Sequence, residues 1–330
     1  ADVLGIVDDD RTRAAISSAG HVAVEAALRG ARIAAGAPED LKFAVIALGR
    51  FGGEELGYVS DADVLFVYDH APSLGSEDAH GYATQVAQHL MSLLSGGSEE
   101  PPFPADADLR PEGKNGPIAR SLASYAAYYD QWVEAWERQA LLRARFLTGD
   151  REVGRAFIEM IEPLRYPARG LDAADVRKIR SMKARIERER IPRGVDPTRH
   201  LKLGPGGLSD VEWTAQLLQL RHAGTVPQLR TLSTVGVLHA ASEAGLISED
   251  DTVRLTDAWS FASALRDANV LGTGRSRGSK IDVLPSDCRD LALIAVLLGR
   301  DITERHAIDE DYARIARRAR RSVETIFYKE

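Results

Sequence analysis

Residues 43–68 read Phe43-Ala44-Val45-Ile46-Ala47-Leu48-Gly49-Arg50-Phe51-Gly52-Gly53-Glu54-Glu55-Leu56-Gly57-Tyr58-Val59-Ser60-Asp61-Ala62-Asp63-Val64-Leu65-Phe66-Val67-Tyr68. The apolar run Phe43 to Leu48 is too short for an ordinary helix and is closed by Gly49, which suits a buried strand. Val64 to Tyr68 is a second run of the same kind, reached through a glycine-rich connection. Side chains alternate along a strand, so Asp61 and Asp63 are expected on one side while Ala62 and Val64 face the core. Two carboxylates so placed suit a cation that prefers hard oxygen ligands, Mg²⁺ or Mn²⁺. Gly52 and Gly53 lack Cβ atoms, so backbone N–H groups can approach a phosphate there, above all if a helix begins at Glu54. A pair of metals roughly 3.5–4 Å apart would suit a triphosphate, an attacking hydroxyl and a departing pyrophosphate.

Outward from this stretch the periodicity is helical. Ala15, Ile16, Val22, Val24, Ala27, Leu28 and Ile33 predict a helix over residues 11–36, and another is expected over 79–94. Ser95-Gly96-Gly97-Ser98 and Pro101, Pro102 and Pro104 then break the pattern, with a short strand expected between Phe103 and Arg110. From Ser121 onward no strand run stands out. Helices are expected over 121–147, 150–162, 172–191, 209–223, 233–246, 250–270, 286–298 and 302–328. Lys114-Asn115-Gly116-Pro117 supplies turn chemistry, which places a boundary near residue 120, with one domain over 1–120 and a helical bundle over 121–330.

The chain has 330 residues and a net charge of −7, a size that fits two domains of about 150 residues. An acidic balance argues against a general nucleic-acid binder, and no apolar run approaches the roughly 20 residues of a membrane span. The single cysteine, Cys288, has no partner for an internal disulfide, and no signal-peptide pattern opens the chain, so a cytoplasmic setting is expected. A start at Ala1 also fits a cut inside a longer polypeptide.

The Gly-Gly and Asp-x-Asp combination resembles the nucleotidyltransferase superfamily that includes DNA polymerase β. More closely, Gly49 to Gly57 with Ser60-Asp61-Ala62-Asp63 is similar to the bifunctional glutamine synthetase adenylyltransferase/adenylyl-removing enzymes. Asp106-Ala107-Asp108-Leu109-Arg110-Pro111 resembles that family's Asp-x-Arg-Leu-Arg-Pro, and Trp136 to Arg145 its Trp-Glu-x-Gln-Ala-Leu-x-x-Ala-Arg helix. Lys202 to Trp213 resembles its Lys-x-Gly-x-Gly-Gly segment. The resemblance implies an α+β nucleotidyltransferase domain with a mixed sheet, followed by helices. It also implies Asp61, Asp63 and Asp106 as metal ligands and catalytic residues, with ATP as substrate.

Gly52, Gly53 and Ser60 are then expected to face the triphosphate, and Lys202 to contact it. Asp108 stands where the family commonly has Arg, and either Asp106 or Asp108 is expected to serve as the ligand, since both are expected on one strand face. Ser209 is expected to cap the helix that follows Gly207, with Glu212 completing a capping box and Asp210 repelling any anion there. Family members attach AMP to a tyrosine of glutamine synthetase and remove it by phosphorolysis. Gly206-Gly207-Leu208-Ser209-Asp210-Val211-Glu212-Trp213 and Glu55-Leu56-Gly57-Tyr58 are nearer the adenylylating half. Rival expectations are the adenylyl-removing half, uridylyl transfer to a PII signal protein, and a silent helical module that docks PII or glutamine synthetase.

The remaining chemistry-bearing residues have plainer readings. Residues 177–193 hold eight basic side chains against Glu187 and Glu189, which suits either steering of anions or a solvated helical face. His70, His80 and His89 lack zinc-site spacing, Cys288 is expected to pack in a helix, and Trp132, Trp136, Trp213 and Trp259 are expected in the core.

Overall fold

The two apolar runs form the centre of a five-stranded mixed sheet in the computed structural model, which describes residues 8–96, 103–275, 278 and 280–329. β1 (Leu41–Ala47) and β2 (Ala62–His70) are antiparallel, with Phe43 opposite Tyr68, Val45 opposite Phe66 and Ala47 opposite Val64. Period-two alternation sorts their side chains between two cores. Phe43, Val45, Ala47, Val64, Phe66 and Tyr68 pack with Val24, Leu28, Val86 and Leu90 from α1 (Asp9–Ala34) and α3 (Ser76–Leu94). Ala44, Ile46, Leu48, Leu65 and Val67 pack on the other face. Their partners are Tyr125, Phe157 and Ile161 from α4 (Leu122–Trp132) and α6 (Arg151–Arg165). Burial on both faces explains why the runs are continuously apolar.

On its other edge β2 pairs in parallel with two short pieces, β3 (Ala105–Asp106) and β4 (Ala119–Ser121). The strand expected over 103–110 is therefore only two residues long, since residues 108–110 already turn. Pro101, Pro102, Gly97 and Ser98 lie outside the described residues.

The expected helix over 121–147 is interrupted. Ser121 caps α4 through its hydroxyl, which accepts the Ser124 N–H at 3.1 Å. The Glu137 carboxylate of α5 (Ala135–Leu141) accepts the Glu134 N–H at 2.7 Å, restarting the helix after a break. β5 (Arg145–Gly149) then joins the free edge of β1, with a register shift between Val45 and Ile46. An open edge beside β1 overrides the helical pattern of this stretch.

The chain divides into two compact units, Arg13–Leu56 with Ser60–Arg165, and Tyr166–Glu330 with Gly57–Val59 and the residues before Arg13. The division falls at Arg165/Tyr166 rather than near residue 120, because β5 and α6 complete the sheet and its cover. The second unit is helical, with α7 (Ala173–Arg190), α8 (Leu208–His222), α9 (Thr234–Glu243), α10 (Glu249–Thr273), α11 (Cys288–Leu297) and α12 (Arg305–Val323). Among the described residues no helix is long and apolar enough to cross a membrane.

Two expectations about single side chains change. Trp132 is 66% exposed, whereas Trp259 is buried as expected. Cys288 opens α11 on the surface.

Candidate active site

Asp63 and Asp106 lie side by side where β2 begins. Asp63 and Asp106 are paired residues on adjacent parallel strands, so they project from one face. That face carries Leu65 and Val67 further along, while Ala62 and Val64 are fully buried on the opposite one. Asp61, two residues before Asp63, is exposed.

The turn after β1 shapes the floor. Gly49 has φ +50°, and a Cβ there would collide with the Asp63 carboxylate. Asp63 therefore lies against the bare backbone of Gly49, a close approach only glycine permits. Leu48 donates its N–H to the Asp63 carbonyl at 2.8 Å, which ties the turn to the strand.

The phosphate cradle expected at Gly52 and Gly53 takes a different form. The helical turn is α2 (Gly49–Gly52), and Glu54 is left-handed at φ 58°, so no helix begins there. The Gly52 N–H donates to Leu48 at 2.6 Å and the Gly53 N–H to Gly49 at 3.2 Å, so neither amide is offered to a phosphate. Gly52 is buried and a Cβ would strike the Arg143 carbonyl, so close packing is what requires glycine there.

Arg145 closes this turn from below. Its Nε donates to the Gly52 carbonyl at 3.1 Å and its Nη2 to the Phe51 carbonyl at 3.3 Å. These are carbonyls at the end of a helical turn, where a cation is favoured. Beside it, Arg143 and Glu55 form a buried ion pair at 3.2 Å.

Asp106 and Asp108 do not share a face. Asp106 Oδ1 accepts the Asp108 N–H at 2.7 Å, a turn that ends the strand. The Asp108 carboxylate meets Lys114 at 3.2 Å and Arg110 at 3.6 Å. Of the two, Asp106 is the one paired with Asp63.

Fit to a divalent cation follows from the donor set: hard oxygens, two of them side by side and all at least partly accessible. Among the described residues, however, no three His, Cys, Asp or Glu side chains are gathered into a metal-holding group. Asp61 is in solvent, so turning it toward the pair costs mainly rotamer entropy.

Ser60 is half-buried and directly precedes Asp61. Lys202 is exposed in the second unit, where its charge helps keep Asp282 ionised. The helix after it begins at Leu208 with Gly207 as cap, not Ser209. Asp210, in the third helical position, accepts the Gly206 N–H at 2.7 Å.

Two families of sequence match the chain. Residues 12–160 match the model for glutamate–ammonia ligase adenylyltransferase, and residues 177–328 that for GlnD PII-uridylyltransferase. The bifunctional glutamine synthetase adenylyltransferase/adenylyl-removing enzyme of Streptomyces coelicolor is 52% identical over 87% of this chain. The enzyme of that name from Mycobacterium avium is 46% identical over 99% of it, and the one from Mycobacterium tuberculosis 45% over 99%. The chain is thus similar to these enzymes over most of its own length. It spans 28% of the Streptomyces coelicolor relative and 33% of each mycobacterial one.

Sequence reasoning brought Asp61, Asp63 and Asp106 to one end of the sheet and missed two residues. Gly49 was read only as the end of a strand, although an apolar run closed by glycine just before Asp-x-Asp is the signal for its role. Arg145 closes a helix motif in sequence and a glycine turn in space.

Proposed function

We propose that this chain transfers AMP from ATP to a tyrosine hydroxyl of glutamine synthetase and releases pyrophosphate. The observation that carries the reading is the side-by-side placement of Asp63 and Asp106, with Asp63 against the Gly49 turn and Asp61 two residues before it in the chain. In this reading Asp61, Asp63 and Asp106 hold divalent cations, Mg²⁺ or Mn²⁺. When bound, such ions supply positive charge to the phosphate oxygens. Asp63, fixed against Gly49, and Asp106, fixed by the Asp108 N–H, keep their oxygens in place without reorganising during the reaction. A carboxylate of this set accepts the phenolic proton as the tyrosine oxygen attacks in line. Ser60 offers its hydroxyl to a phosphate oxygen, and Lys202 is assigned a contact to the triphosphate. Gly52 serves by packing.

The similarity of the Leu208 to Trp213 segment and of Glu55 to Tyr58 supports the adenylylating direction. The match of residues 177–328 to a PII-uridylyltransferase model makes PII the competing acceptor. One experiment separates these readings: the chain with Mg²⁺, labelled ATP or UTP, and glutamine synthetase or PII, with mass measured on each acceptor. AMP on glutamine synthetase is the expected result, abolished by Asp63→Asn, with a raised KM for ATP in Lys202→Ala. UMP on PII, ADP released from AMP-modified glutamine synthetase and phosphate without forward transfer, or no metal-dependent ATP binding would each overturn it.

A further inference from the structure

The loop that leads into Ser60 and Asp61 is held in a conformation its own residues do not favour. Val59 has φ 54°, and a β-branched residue in the left-handed region costs about 1–3 kcal/mol unless its surroundings over-determine it. The surroundings here belong to the same compact unit as Gly57–Val59. Arg266 of α10, buried, donates from Nη1 to the Tyr58 carbonyl at 3.2 Å and from Nη2 to the Val59 carbonyl at 3.3 Å. Asp267 accepts the Tyr58 N–H on Oδ1 at 2.9 Å, and Gly57 lies so close to that carboxylate that a Cβ would crowd it.

The guanidinium is itself oriented. Its Nε donates to Asp282 Oδ1 at 2.6 Å, and the Asp282 carbonyl accepts the Leu201 N–H at 2.7 Å. Burial opposes the charge on Asp282, but Arg266 and Lys202 outweigh it and keep the carboxyl below its ordinary range. Within this unit Tyr58 and Val59 are thus linked through Arg266 and Asp282 to Leu201, the residue before Lys202.

We propose that Arg266 and Asp267 are positioning residues: their grip on Tyr58 and Val59 holds the backbone that leads into Ser60 in the conformation nucleotidyl transfer needs. This rests on the function proposed above. A loop that merely connected two strands would relax to extended φ or carry glycine at residue 59. Retained strain, met by two side chains aimed at three backbone groups, marks a geometry that is being enforced. An arginine suits the task because its planar fork reaches adjacent carbonyls together.

The test uses the full chain carrying Arg266→Gln, Val59→Gly or both, with Asp267→Ala as a second route should Arg266→Gln fail to fold. In Arg266→Gln, amide hydrogen exchange over residues 57–63 is expected to rise at least about tenfold while the helices of both units keep their protection. The kcat for AMP transfer falls about 10–100-fold with KM for ATP unchanged. Val59→Gly, at ease with a positive φ, recovers part of that loss in the double variant. Unchanged exchange over 57–63, or a loss of kcat matched by general loss of protection, overturns the proposal. If the unmodified chain moves no AMP, the functional reading fails, and the exchange result alone then decides whether the grip exists.

Discussion

Gly49 combines a left-handed φ with the space that seats a carboxylate, and the two demands have separable costs. Gly49→Ala is expected to lose about 1–2 kcal/mol of stability for the backbone alone. Its new methyl also pushes the Asp63 side chain away, so kcat should fall by about 10²-fold, far beyond what the stability change explains. Thermal melting beside steady-state kinetics checks this, and a lowered melting point with unchanged kcat would remove Asp63 from the reaction. The side on which Asp63 projects was legible because strand alternation is read directly from spacing, whereas Asp106 was reached only through the family resemblance. Which of Asp106 and Asp108 matters was not legible, since that depends on where β3 stops. The chain turns at Asp108, drawn toward Lys114 and Arg110.

At the scale of elements, α2 is a single turn whose final carbonyls have Arg145 for partner. Arg145→Ala removes two charged hydrogen bonds and should cost about 1.5–3 kcal/mol in urea unfolding. Arg145→Lys, keeping the charge but not the fork, should fall between. Equal stability for all three proteins would show that the turn is held by packing alone. The long helices were readable because apolar stripes repeat with the helical period, as in α12, where Ile308, Tyr312, Ala319 and Val323 are buried. β5 was not, because Arg145-Phe146-Leu147-Thr148-Gly149 is short, follows a helical pattern and becomes a strand only through the free edge of β1.

Across the molecule, the second unit is organised around one buried charge cluster. Lys183, 1% exposed, pairs with Asp210 and Glu187, and Arg320 reaches Asp210 at 3.0 Å. The basic segment over 177–193 is therefore not uniformly a solvated face, and periodicity gave no sign of this because the partners lie 27 and 110 residues apart. Burial opposes ionisation of Asp210, but Lys183 and Arg320 outweigh it and hold the carboxyl below its ordinary value. A carboxyl depressed in this way stabilises fully above the unfolded value, about 3.9, and the contribution fades as pH falls through the lower folded one. Asp210→Ala should cost about 3–5 kcal/mol at neutral pH by leaving buried Lys183 with Glu187 alone, and the gap to the unaltered chain should narrow only in strong acid. Melting curves across pH decide it, and a gap already closed at pH 5 would contradict the cluster.

The same cluster bears on the order in which the unit is built during synthesis. Lys183 is made before both of its carboxylates, Glu187 in the same helix and Asp210 in α8, and the second cation arrives only with α12. Between the making of Asp210 and that of Arg320 a nascent polypeptide thus carries an excess of negative charge at the future centre of this unit. Closure of this half waits for α12, while the sheet half has all the strands of the described residues once Gly149 is made.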